Sequence, residues 1–203
     1  MDSVLSNINE SLAQRISDDM VYYCIECDAS EIYDDYEIYI DKYEFELNFE
    51  LSQGFIISHE LGHLYMYDHI EEFDGITGVD ELSKKDKAHL DEYDADFIGL
   101  SFLANNYFQH GNAKALSGAH LYFLSCLIKK KVDYLILNNT LDGFLGKDTS
   151  THPSEYKRLD DIKERFLPEL SNLNVDCVPV YIYFQNLEVI ADVIVELVVK
   201  YRK

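Results

Sequence analysis

His59, Glu60 and His63 stand in the order His-Glu-x-x-His, with the histidines four positions apart. On an α-helix that spacing stacks the two imidazoles on one face. Two ring nitrogens can then meet at one metal ion, with Glu60 in reach of a water there. A hydrolytic zinc site takes three protein ligands and keeps a fourth position open, where water is acidified to a pKa of about 7. The pentapeptide supplies two ligands, His59 and His63, and a general base, Glu60. A third ligand has to come from elsewhere.

Two residues compete for that place. His69 follows His63 by six positions, the metzincin spacing. That arrangement needs a sharp turn between the histidines, normally at a glycine, and a later methionine turn beneath the metal. Met66 occupies the turn position, and the methionines are Met1, Met20 and Met66, all too early or misplaced. His69 is expected to be a bystander near a helix end, where its partial charge suits the dipole. The second residue is Glu92, in Glu92-Tyr93-Asp94-Ala95-Asp96. Few breakers interrupt Lys85 to Gln109, which reads as a helix carrying Glu92, Ala95, Asp96 and Gly99 on one face. Ala95 and Gly99 are small enough to let two helices approach closely. Asp96 is placed to accept a proton from a ligand histidine and so fix its tautomer. The competing reading of these acids is a solvated helix face; set beside residues 59–63, Glu92 is the expected third ligand.

His-Glu-x-x-His followed by Glu-x-x-Ala-Asp resembles the gluzincin metallopeptidases, in particular soluble relatives of the CAAX-prenyl-protease and HtpX-type enzymes. Thr151-His152-Pro153-Ser154-Glu155-Tyr156-Lys157-Arg158 is similar to their T-H-P-x-x-x-x-R segment. The layout also resembles the phage-exclusion peptidase Lit and its relatives. The resemblance implies a zincin-like domain with one zinc ion. It places His152 in the cleft as a second catalytic residue, and Arg158 as a brace on a carboxylate, Glu92 or Asp96. The membrane enzymes of that group carry transmembrane helices, and none is visible here.

At 203 residues the chain is expected to form a single domain, 1–203, with a sizeable core. Seventeen Lys and Arg face 38 Asp and Glu, a net charge of −21. Such a field opposes nucleic acids and anionic membranes and favours a basic protein or peptide substrate; solubility alone is the other reading of it. The longest apolar run, Leu121 to Ile128, ends at three lysines, far short of the ~20 residues that span a bilayer. The N-terminus lacks the basic-then-apolar layout of a signal peptide, so a cytoplasmic location is expected. Cys24, Cys27, Cys126 and Cys177 follow no disulfide framework, and Cys24-Ile25-Glu26-Cys27 is a lone C-x-x-C pair.

Local patterns fill in the elements. Val4–Ile16 has helical apolar spacing, and Val21–Glu26 and Tyr36–Ile40 read as short strands. Glu44 to Leu51 alternates, with Phe45, Leu47, Phe49 and Leu51 on one side, which predicts a half-buried strand beside the metal helix. In the zincins that the chain resembles, a strand so placed binds extended substrate by strand addition; an ordinary meander strand, or an early helical turn running into the metal helix, are the alternatives. Ser52 is the expected N-cap of that helix. A loop over Asp68–Lys85 joins the two ligand helices. Ala113–Lys131 and Val132–Leu137 read as helical, Pro153 suits the first position of a helix, and Asn186–Tyr201 turns Leu187, Ile190, Val193, Ile194 and Leu197 toward the core.

The expected fold is α+β and mainly helical, with a small sheet beside the His-Glu-x-x-His helix. The expected activity is zinc-dependent hydrolysis of peptide bonds by promoted-water attack. The alternatives are a non-catalytic zinc-containing regulatory protein, or a latent peptidase governed by an activating or inhibitory partner.

Overall fold

The computed structural model describes residues 42–69, 83–108, 116–172 and 176–201. The expected Val4–Ile16 helix, the strands at Val21–Glu26 and Tyr36–Ile40, the C-x-x-C pair and most of the Asp68–Lys85 loop lie outside them. Every regular element among the described residues is a helix, so the expected α+β fold with a sheet beside the metal helix is corrected to a helical one. The helices are α1 (Lys42–Asp68), α2 (Lys84–Phe108), α3 (Gly118–Asn138), α4 (Glu155–Asp161), α5 (Leu167–Asn172) and α6 (Val178–Tyr201). A π-helical turn, Ile162–Phe166, joins α4 to α5.

The decisive correction falls on Glu44–Leu51, which is helical and runs unbroken into the metal helix as the start of α1. Leu47, Leu51 and Phe55 recur at four-residue spacing. Leu51 and Phe55 are buried, whereas Phe49, an inward residue in any strand reading, is 52% exposed. Glu and Leu are strong helix formers, and the tertiary contacts of Leu51 and Phe55 add to that preference. Ser52 accordingly lies within the helix and not at its N-cap, and the expected strand-addition site is lost with the strand.

Contacts divide the chain into two compact units, one made of Leu47–Phe123 and Gly146–Phe184, the other including Leu124–Leu145 and Gln185–Lys203. The first holds every residue of the expected site. Its core gathers Leu51 and Phe55 of α1, Leu100 and Leu103 of α2, Leu116 and Phe123, and Leu159, Ile162 and Phe166 from the α4 region, all buried. In the second unit Val132, Leu135 and Val198 form a cluster with Ile128, Ile136 and Leu141 packed against it. There α3 stops at Asn139, whose φ of 60° is the left-handed conformation of a helix C-terminus.

Two helix boundaries and one helix face also differ from expectation. Ser83 caps α2: its hydroxyl accepts the Asp86 N–H at 3.2 Å and donates to the Asp86 carboxylate at 2.6 Å. Ser154, not Pro153, precedes the first turn of α4, so Pro153 stands outside that helix. On α6 the buried positions in the second unit are Ala191, Val195, Leu197 and Val198, while Ile190 is 46% exposed. The apolar residues of α6 run almost all round it, and periodicity alone does not select the face. No helix among the described residues is long and apolar enough to cross a membrane.

Candidate metal centre

α1 and α2 meet where side chains are smallest. A Cβ on Gly62 would stand 2.6 Å from the Ala95 carbonyl oxygen, and one on Gly99 would stand 2.8 Å from the His59 backbone nitrogen. Real Cβ atoms do not tolerate such distances, so both glycines are needed for the approach. Ala95 and Gly99 were legible as small residues on one face of α2. Gly62 was not singled out, although a mid-helix glycine costs roughly 1 kcal/mol against alanine and marks either a breaker or a close contact.

This approach brings His59, His63 and Glu92 together. Their ligand atoms lie within 4.8 Å of one another, a group able to hold a metal ion. His59 Nε2 and His63 Nε2 are 3.1 Å apart, His63 Nε2 is 3.4 Å from Glu92 Oε1, and His59 Nε2 is 3.7 Å from Glu92 Oε2. Ligands about 2.0–2.1 Å from a tetrahedral ion stand roughly 3.3 Å from one another. The three measured separations bracket that edge length. Glu92 Oε2 is also buried and accepts no hydrogen bond, a deficit that a cation would remove.

The group is braced from beneath. His59 Nδ1 is 2.9 Å from Asp96 Oδ1. Arg158 Nη2 is 3.3 Å from the same nitrogen, but Nδ1 cannot donate to Asp96 and accept from a guanidinium at once. The shorter contact, to a carboxylate 1% exposed on its side chain, sets the tautomer. Nδ1–H therefore points at Asp96, and Nε2 presents its lone pair to the ligand group. Arg158 donates to Asp96 through Nε at 2.7 Å and Nη2 at 2.5 Å. Its Nη1 stands 3.0 Å from Glu92 Oε2, an ion pair outside hydrogen-bond geometry. Arg158 thus serves both carboxylates that sequence reasoning left as alternatives. Its guanidinium also lies 4.5 Å above the Phe123 ring, and Phe123 packs edge-on against Phe55, whose ring is 6.0 Å from that of His59. This aromatic floor was not foreseen; its sequence signal is Phe55 itself, one turn before His59.

Charges follow the geometry. Burial pushes the Glu92 carboxyl up, but His63, Arg158, His152 and His59 together hold it below the usual range. The contact with Glu92 raises the His63 imidazole against the opposing effect of burial. Burial opposes the charge on Arg158, and Asp96 and Glu92 more than restore it.

The remaining expected residues fall as follows. Glu60 is exposed and lies next to His59 on α1. His152 is exposed, with Nε2 3.4 Å from Glu92 Oε1 and Nδ1 2.8 Å from Thr151 Oγ1. His69 lies outside the ligand group: its ring stacks on Tyr65 at 4.2 Å, and Nδ1 donates to the Tyr65 carbonyl at 2.8 Å. Neither Cys126 nor Cys177 is in a disulfide, and the Cys177 thiol donates to the Leu167 carbonyl oxygen at 3.5 Å. No protein-family model, curated protein or solved structure matches the chain.

Proposed function

We propose that the chain is a zinc-dependent endopeptidase. The observation that carries this reading is the meeting of His59 Nε2, His63 Nε2 and the Glu92 carboxylate at 3.1–3.7 Å, with Glu60 exposed beside them. Two imidazoles and one carboxylate are the donor set of hydrolytic zinc sites, which keep a fourth position open. Bound there, zinc would supply Lewis acidity and lower the pKa of a water to about 7.

The chain's own residues do the rest. Asp96 keeps the His59 proton on Nδ1, so that Nε2 stays available as a ligand. Arg158 offsets part of the charge of the two carboxylates and restrains Glu92. Glu60 takes a proton from the attacking water and returns it to the leaving amine. His152 donates a hydrogen bond to the oxyanion that develops on the scissile carbonyl. The net charge of −21 draws basic peptides toward the site, an attraction that salt weakens over a Debye length of about 8 Å.

Metal analysis of the purified chain and its variants tests the ligand set. One zinc per chain is expected for the parent and for His69→Ala, with loss in Glu92→Ala. Stoichiometric zinc in Glu92→Ala together with its loss in His69→Ala would overturn the assignment.

A further inference from the structure

His89 lies one helical turn before Glu92 on α2, is 9% exposed, and has no part in the proposed reaction. Its Nε2 is 3.0 Å from the carbonyl oxygen of Thr149. A carbonyl only accepts, so Nε2 carries the proton and donates it. Thr149 belongs to a loop that is bonded chiefly to itself. Thr149 Oγ1 accepts the His152 N–H at 2.8 Å and the Thr151 N–H at 3.3 Å, and the Thr149 N–H donates to the His152 carbonyl at 2.9 Å. Asp148 accepts the Ser154 N–H at 2.9 Å and the Lys157 ammonium at 2.6 Å. These bonds tie residues 148–157 together, and Arg158 fixes the α4 end of the segment on α2 through Asp96. The His89 bond fixes the Thr149 end, from the same helix that carries Glu92. His152 projects from this unit toward Glu92 and is itself exposed. Its Nδ1 is 2.8 Å from Thr151 Oγ1 of the same loop, so the placement of the loop decides where it stands.

We propose that His89 is a positioning residue whose bond to the Thr149 carbonyl sets the place of His152 opposite Glu92. The kinetic half of this inference rests on the peptidase reading; the structural half stands without it.

The test compares His89→Leu, which removes the donor, with His89→Gln, whose side-chain amide can donate from a similar reach. Hydrogen exchange over residues 147–158 is followed by mass spectrometry on the full chain, with and without added zinc. The amides of this segment should exchange about fivefold faster in His89→Leu, the effect of losing one net hydrogen bond, and return to the parent rate in His89→Gln. Zinc content and KM should stay unchanged while kcat falls roughly 10–100-fold in His89→Leu, since a 1 Å misplacement costs about that much. In a His152→Ala background, His89→Leu should lower kcat no further, because two residues acting through one group are not additive. Unchanged exchange in His89→Leu, or a further fall in kcat in the His152→Ala background, would overturn the proposal. If His89→Leu does not fold, fast exchange of this segment in a folded His89→Gln chain overturns it, and parent-like exchange there supports it. A parent chain that cleaves nothing would remove the peptidase reading, and the exchange comparison would still decide the tie.

Discussion

Arg158 grips Asp96 through two N–H donors, at 2.7 and 2.5 Å, and both side chains are buried. The pair anchors α4 to α2 directly beneath the ligand group. Removing the cation leaves an uncompensated carboxylate in the interior, which typically costs ~3–5 kcal/mol. Arg158→Met should lose stability on that scale in denaturant unfolding of the metal-free chain. Its zinc affinity, read by chelator competition, should fall about 10–100-fold as His59 and Glu92 lose their orientation. Arg158→Lys restores the charge but not the two-pronged geometry, and should recover only part of either loss. A change in unfolding free energy below about 1 kcal/mol in Arg158→Met would place it among ordinary surface substitutions.

The two glycines at the helix contact predict a contrast with a third. Gly62→Ala and Gly99→Ala push backbone against backbone and should each cost ~1–3 kcal/mol, with weakened metal binding. Gly54 is also within α1, but an added Cβ would meet only Leu103 Cδ2 at 3.9 Å. Gly54→Ala should therefore stabilise by about 0.5–1 kcal/mol, the ordinary helix-interior gain. Melting temperatures of the three variants check this, and equal effects at all three positions would contradict it.

The site was more legible than the fold, for a physical reason. His59 and His63 declare a helix by their spacing, and Glu92, Ala95, Asp96 and Gly99 share one face only if α2 is helical; chemistry and period point the same way. Glu44–Leu51 was ambiguous because Leu47 and Leu51 satisfy both a two-residue and a four-residue period. The exposed Phe49 separates the two patterns, and exposure is a property of the packed chain. The Ser154 start of α4 and the buried face of α6 were hidden in the same way, since several adjacent registers satisfy the local rules. The bond from His89 to Thr149 spans 60 positions, and no local pattern announces it.

Asp161 gives a pH signature that does not depend on metal. Burial raises its pKa, Arg165 opposes the rise, and Asp96, Asp94 and Glu164 add to it. A carboxyl raised on folding binds its proton more tightly in the native state. Stability is therefore lost as pH climbs from the unfolded value of 3.8 through the higher native one, and the penalty persists at neutral pH. Asp161→Asn, which keeps the shape without the charge, should melt higher than the parent at pH 7. The advantage should shrink and vanish as the pH falls below the range in which the parent's Asp161 ionises. A lower melting temperature for Asp161→Asn at pH 7 would mean that its pairing with Arg165 outweighs burial.

Peptidase activity is decided by the cleavage profile of the zinc-loaded chain against an unbiased peptide library, run beside Glu60→Gln on matched preparations. The substitution keeps size and shape but removes the group that accepts the water's proton. General-base catalysis contributes roughly 10²–10⁴ in rate. The parent chain is expected to cleave, and Glu60→Gln to lose at least about 10² of that rate, with zinc content and melting temperature unchanged. Cleavage by Glu60→Gln at the parent rate, or a zinc-loaded parent that cleaves no peptide, would contradict the proposed reaction.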